Sequence, residues 1–153
     1  MFIGTVNVEN ESDTKLIAEN LSKICTKGDV IALDGEMGSG KTTFARYFIK
    51  KFSSCKTIPS PTYNLLFSYK SKHLTIYHLD AWRIKSEDEF LSLGIEEMFE
   101  DSIFIIEWAN KITNILPKDC LYIAIKIKNK FRELTFKGNK NWNNRLIQFS
   151  FNE

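Results

Sequence analysis

Residues Gly35-Glu36-Met37-Gly38-Ser39-Gly40-Lys41-Thr42 match the pattern G-x-x-x-x-G-K-[ST] in full. The chemistry of such a run is the wrapping of phosphate by backbone N–H groups at a helix N-terminus. Gly38 and Gly40 allow a ligand to approach where a Cβ would block it. Lys41 can neutralise the β- and γ-phosphates, and the Thr42 hydroxyl can sit on Mg²⁺. The flanks agree with the pattern: the apolar run Val30-Ile31-Ala32-Leu33 predicts a strand before the loop, and Thr43 to Phe52, free of Gly and Pro, predicts a helix after it. Binding of a nucleoside triphosphate is the expectation.

Phosphate chemistry of this kind also needs an acid for the metal shell and a group to position attacking water. Two acids end apolar stretches, where the loops of an open α/β sheet converge. Asp80 follows Ile76-Tyr77-His78-Leu79, and Glu107 follows Ile103-Phe104-Ile105-Ile106. Either strand could be the Walker B element. Asp80 is assigned to the metal shell, and Glu107 to the metal shell or to water positioning. Lys41, Asp80 and Glu107 are the expected catalytic set, with Thr42, Asp80 and Glu107 around the metal. The loop Pro59-Ser60-Pro61-Thr62 follows the P-loop helix, where a Thr hydroxyl can act as a switch on metal or γ-phosphate, so Thr62 is the switch residue. Trp108 can wall the site, dock a partner or fill core. His73 and His78 have no Cys or carboxylate cluster at ligand spacing and read as ordinary residues.

The elements that must position these groups follow from periodicity. A strand over Thr5 to Val8 leads to a helix started by Asn10-Glu11-Ser12-Asp13, with Leu16, Ile17, Leu21 and Ile24 at helical spacing. Asn64 to Tyr69 and Leu74 to Leu79 read as two strands. Ser86 to Gly94 reads as a helix with the capping box Ser86-x-x-Glu89. Ile103 to Ile106 fits a strand buried on both faces. Asn110 to Leu116 is expected to be helical. Leu121 to Lys128 and Phe131 to Lys137 form a terminal hairpin, and Trp142 to Phe151 is either a strand or a short helix. The sum is a single three-layer α/β domain over residues 1–153, P-loop NTPase-like, with a mostly parallel central sheet and a C-terminal β-hairpin.

Composition sets limits. The net charge is only +2, but Ser86 to Glu107 carries eight acidic residues and no basic one, and Lys118 to Glu153 carries eight basic against three acidic. No apolar run approaches the ~20 residues of a membrane span. The start Met-Phe-Ile-Gly-Thr-Val lacks the features of a secretory signal. The three cysteines have no metal-like or paired spacing, so a cytoplasmic protein with free thiols is expected.

Rival readings narrow on particular residues. Guanine recognition by an Asn-Lys-x-Asp stretch is not supported: after Asn110-Lys111, Asn129-Lys130 and Asn139-Lys140 the fourth positions are Thr113, Arg132 and Trp142. Asp80-Ala81-Trp82-Arg83 also lacks the Gly of a GTPase switch, so ATP is favoured over GTP. A small-molecule kinase would need several arginines to clamp the transferred group, and the chain has Arg46, Arg83, Arg132 and Arg145 without a lid-like pair. A nucleotide-dependent binding module with incidental hydrolysis remains compatible.

The ordered succession Gly35 to Thr43, Ser60-Pro61-Thr62-Tyr63, His78-Leu79-Asp80-Ala81-Trp82-Arg83, Leu93-Gly94-Ile95 and Glu107-Trp108 resembles the TsaE (YjeE) family across nearly the whole chain. The resemblance implies a compact P-loop ATPase of tRNA threonylcarbamoyladenosine synthesis, weakly active alone, using Mg²⁺ and ATP. It implies TsaD and TsaB as protein partners, with tRNA reached indirectly through that complex and no membrane. It extends the nucleotide-binding set from Gly35 through Thr43 to Glu11 and Thr14 near the base, and to Arg132 of the hairpin. It places Trp108 beside the site acids. The chain departs from the family pattern at Glu36-Met37-Gly38-Ser39-Gly40, at Trp82 where Tyr is common, and at Phe131 where Gly is common. The last departure bears on the reach of Arg132.

Overall fold

The strands around the P-loop set the architecture. Every residue of Ile103–Glu107 is buried, and Val30–Asp34 is buried but for its last residue. In the computed structural model, which describes residues 1–151, the order of elements is β1 (Phe2–Val8), α1 (Glu11–Ile24), β2 (Val30–Asp34), α2 (Lys41–Lys50), β3 (Leu66–Ser71), β4 (Leu74–Asp80), α3 (Glu87–Ser92), β5 (Ile103–Glu107), β6 (Leu121–Ile127), β7 (Arg132–Lys137) and α4 (Lys140–Arg145). Single 3₁₀ segments, Ile95–Asp101 and Ala109–Ile112, flank β5. One sheet has the order β1-β7-β6-β2-β5-β4-β3. Its centre, β6-β2-β5-β4, is parallel throughout, while β3, β7 and β1 add antiparallel pairings at the two edges.

Side-chain alternation along the central strands divides the core into two layers. Ile31, Leu33, Ile103 and Ile105 face α1, α2 and α4, meeting Leu21, Phe44, Phe48 and Trp142. Val30, Ala32, Phe104 and Ile106 face the other side, meeting Phe90, Ile95, Phe99 and Ile112. Helical material therefore covers both faces, as the expected three-layer α/β class requires. Among the described residues no helix is long and apolar enough to cross a membrane.

Local signals placed the helices with some corrections. Asn10 caps α1 by accepting from Asp13 N at 3.0 Å. Leu16, expected on the buried stripe, is 59% exposed; Ala18 and Ser22 join Ile17 and Leu21 on that stripe instead. Ser86 caps α3 at 3.1 Å, but Glu89 accepts from Lys85 N rather than from Ser86 N, so the capping box closes one residue early. The first strand begins at Phe2, three residues ahead of expectation, because β7 gives it a partner from end to end. Asn110 to Leu116 does not form the expected helix. Trp108, in the left-handed region at φ 57°, leads into one 3₁₀ turn that drops Ile112 into the core. The ambiguous Trp142 to Phe151 segment resolves as the short helix α4, capped by Asn139, followed by a return that brings Phe149 and Phe151 against Phe136.

Phe48 is fully buried on the α2 face, against Phe52 at 5.3 Å between centroids. Phe48→Ala is expected to cost about 3–5 kcal/mol of stability, read as a lowered midpoint in denaturant unfolding with little change in slope.

Candidate functional site

The P-loop turns where β2 ends. A Cβ on Gly35 would lie 2.5 Å from the Ile125 carbonyl oxygen, so only glycine fits beside β6. Gly40 is the N-cap of α2 at φ 111°. A Cβ on Gly38 would meet nothing within 4 Å, so the loop's backbone there borders open space that a ligand can enter. Lys41 is 5% exposed, and its Nζ donates to Gly35 O at 2.6 Å and Glu36 O at 3.0 Å. Its ammonium also lies 3.9 Å from the centroid of the Trp108 ring, a cation–π contact. Burial pulls the Lys41 pKa below its ordinary value, and Glu107, Asp34, Asp80 and Glu36 pull in the opposite direction.

Strand alternation brings the two acids to one place. Ile76, His78 and Asp80 share one face of β4; Ile103, Ile105 and Glu107 share the same face of β5, the face under α2. The parallel register sets Asp80 level with Glu107, and Glu107 level with Leu33 at the root of the P-loop. Each carboxylate holds one threonine. Thr42 Oγ1 donates to Glu107 Oε1 at 2.5 Å, and Thr62 Oγ1 donates to Asp80 Oδ2 at 2.8 Å. The second oxygens are taken as well: Trp82 N donates to Asp80 Oδ1 at 2.8 Å, and His78 Nε2 lies 2.6 Å from Glu107 Oε2. Both acids are nearly fully buried, at 3% and 2% exposure. Two carboxylates and two hydroxyls are hard oxygen donors of the kind magnesium takes when substrate phosphates supply the rest of its shell.

Two adjoining cavities open from the loop. The larger, about 290 Å³, is lined by Lys41, Thr42, Thr62, Asp80, Glu107 and the pair Trp82–Trp108, whose rings are 4.3 Å apart. The smaller, about 180 Å³, shares Gly38, Gly40 and Thr43 with it and adds Asn10, Glu11, Thr14 and Arg132. Phe131 does not keep Arg132 away: Nη2 donates to Gly38 O at 3.2 Å. Glu11 is steadied by Tyr47, whose hydroxyl donates to Oε1 at 2.6 Å. Of the residues expected to bind nucleotide, Glu11, Thr14, Met37, Gly38, Gly40 to Thr43 and Arg132 line these two adjoining spaces, whereas Gly35 and Glu36 border a separate cavity beside β6 and Ser39 is fully buried.

Sequence reasoning missed two contributors. His78, read as an ordinary residue, is fully buried in contact with Glu107; its signal was the alternation that puts it on the face of Asp80. Arg46, on the exposed side of α2, donates through Nε to Ile58 O at 2.7 Å and ties the proline loop to the P-loop helix.

Comparison with known proteins adds an independent line. The sequence model of the family described as "Threonylcarbamoyl adenosine biosynthesis protein TsaE" matches residues 8–134. A relative from Rickettsia felis, named tRNA threonylcarbamoyladenosine biosynthesis protein TsaE, is 37% identical over 128 residues, covering 83% of this chain and 75% of its own. A Bacillus subtilis protein of the same name is 36% identical over 129 residues, covering 83% and 80%. The crystal structure of Bacillus subtilis YdiB superposes with a TM-score of 0.78 at 30% identity, covering 95% of this chain and 93% of that one.

Removing the Arg46 tether should loosen the loop without disturbing the sheet. Arg46→Ala is expected to speed amide hydrogen exchange across residues 57–63 roughly tenfold, the scale of one lost hydrogen bond from a charged donor, with exchange in β2 and β5 unchanged.

Proposed function

Because the chain belongs to the TsaE family of threonylcarbamoyl adenosine biosynthesis proteins, we propose that it is a cytoplasmic ATPase of tRNA N6-threonylcarbamoyladenosine synthesis. In this reading it binds and hydrolyses Mg-ATP to regulate or reset a TsaD–TsaB transfer complex. The observation that carries the reading is the pairing of two hydroxyls with two buried carboxylates beside Lys41: Thr42 on Glu107 and Thr62 on Asp80.

The loop's N–H groups and Lys41 take the phosphates. Lys41 exchanges the Gly35 and Glu36 carbonyls for β- and γ-phosphate oxygens and so leaves the face of Trp108. Glu11, Thr14 and Arg132 border the space left for the base and sugar. Thr42, Asp80 and Glu107 would hold Mg²⁺, which when bound neutralises phosphate charge and polarises the terminal phosphoryl group. Thr42 keeps its proton on Glu107, leaving its oxygen lone pairs for the ligand side. Glu107 orients the attacking water; the water oxygen adds to the γ-phosphorus as the bond to the bridging oxygen breaks, giving ADP and phosphate. Thr62 exchanges Asp80 for the γ-phosphate, so the loop over residues 57–62 follows the nucleotide state.

Trp108 and Trp82, at the mouth, together with that loop, present the face a protein partner would sense, and tRNA is reached only through the complex. A small-molecule kinase is disfavoured because only Arg132 of the four arginines lies at the P-loop and the other three are spent elsewhere. Arg46 holds Ile58 O, Arg145 pairs with Asp29, and the Arg83 guanidinium lies over Tyr63 at 4.8 Å.

The test is steady-state ATP hydrolysis by the protein alone and with TsaD and TsaB, beside a direct binding assay. Low basal turnover that rises with both partners is expected. Lys41→Ala should lose binding, while Glu107→Ala should keep binding within a few fold and lose ~100-fold or more in kcat. Normal hydrolysis by Glu107→Ala with the partners present would overturn the role given to that residue. Nucleotide-dependent docking that survives in Glu107→Ala, with tRNA modification intact, would favour a binding module over an ATPase.

A further inference from the structure

Among the described residues, His78 is a buried side chain in contact with a site acid that the mechanism above does not use. It is fully buried on the α2 face of the sheet, level in register with Ile105 and one alternation below Asp80. Its Nε2 lies 2.6 Å from Glu107 Oε2, and among the described residues its Nδ1 has no partner. Filling core volume does not account for this choice. A leucine there would pack beside Ile76 and Ile105 without leaving a buried nitrogen unpaired, a defect that costs stability. The imidazole is retained at that cost, and what it supplies is a donor to Glu107. A carboxylate oxygen only accepts, so the proton of this contact is carried by Nε2.

The consequence for Glu107 is geometric. Its carboxylate hangs on three rotatable bonds, and Thr42 alone would hold one oxygen and leave the plane free to turn. Thr42 reaches Oε1 from α2 and His78 reaches Oε2 from the sheet, so donors from two different elements fix the plane. Because both oxygens are engaged, the lone pairs left over point in set directions toward the cavity. Orientation of this kind governs how well a group aligns a reacting water, where a misplacement of about 1 Å can cost ~100-fold in rate.

We propose that His78 is a positioning residue for hydrolysis: it fixes the orientation of the Glu107 carboxylate and leaves nucleotide affinity to the P-loop. This rests on the ATPase reading and on the part that reading gives Glu107.

Three substitutions in the full chain separate the cases. In His78→Gln the side-chain amide nitrogen has the reach of the imidazole Nε2, in His78→Asn the amide falls short, and in His78→Leu the donor is gone. Mg-ATP turnover would be measured alone and with TsaD and TsaB, with binding of a fluorescent ATP analogue and thermal unfolding in parallel. His78→Asn and His78→Leu are expected to lower kcat roughly 10- to 100-fold, with analogue Kd within about twofold of wild type. His78→Gln is expected to recover most of the loss. If His78→Leu does not fold, the Gln-against-Asn ranking alone decides, since core filling gives no reason for Gln to exceed Asn in kcat at equal Kd. Wild-type kcat in His78→Asn or His78→Leu overturns the proposal. So does a fall in kcat matched by a fall in affinity, or a Gln variant no better than Asn. Glu107→Ala, run in the same assay, keeps the two readings apart. If it is inactive while His78→Leu turns over normally, only the proposal fails; if it is active, the ATPase reading of Glu107 fails first.

Discussion

The register of three parallel strands is the constraint on which the site depends. β2, β5 and β4 run side by side with Leu33, Glu107 and Asp80 at one level. That level lies at the strands' C-terminal ends, where the P-loop begins. A shift of one residue in either pairing would turn an acid to the opposite face, away from Thr42 or Thr62. The apolar layers hold the register: Ile31, Leu33, Ile103 and Ile105 on one side, Val30, Ala32, Phe104 and Ile106 on the other. Two carboxylates nearly out of water would be costly if left bare. Here four donors satisfy them, from Thr42, Thr62, His78 and the Trp82 amide. The parts of the chain that deliver those donors are accordingly fixed to the strand ends.

What could be read in advance was what is written locally. The P-loop carries its conformational needs in adjacent residues, the buried strand announces itself as Ile103-Phe104-Ile105-Ile106, and the acids stand at the ends of their runs. Which acid takes which hydroxyl was not legible, because it depends on strand order, and strand order leaves no mark in a single segment. His78 escaped for the same reason: its partner is 29 residues away and becomes visible only when β4 lies beside β5. The reach of Arg132 is likewise a property of the hairpin's placement against the loop, not of the neighbouring Phe131. The misread helix after Trp108 had the right apolar spacing, but it starts from a left-handed residue and only Ala109–Ile112 closes, as a 3₁₀ turn.

The uneven charge has largely local causes. Glu87, Asp88 and Glu89 fill the first turn of α3, where a helix favours negative charge. Glu87 also accepts from the Asn114 amide, and Glu89 from Lys85 N. On the hairpin, Lys128 approaches Glu133 at 3.8 Å, an exposed contact worth little by itself. The pair that does bind elements together is Arg145 with Asp29, joining α4 to the start of β2 while the guanidinium stacks on Trp142 at 3.9 Å.

β1 pairs along its length with β7, joining Phe2 to Lys137 and Val8 to Arg132. β1 therefore leaves the ribosome without a sheet partner, and has none until β7 has been made. At roughly 5–20 residues per second that interval is on the order of ten seconds. During it, the hairpin residue that meets Gly38 does not yet exist, and the exposed strand β1 is a template for any stray edge. The sheet edge and the loop contact at Arg132 are thus completed together, only once β7 has been made. A truncated chain ending before residue 132 would lack both.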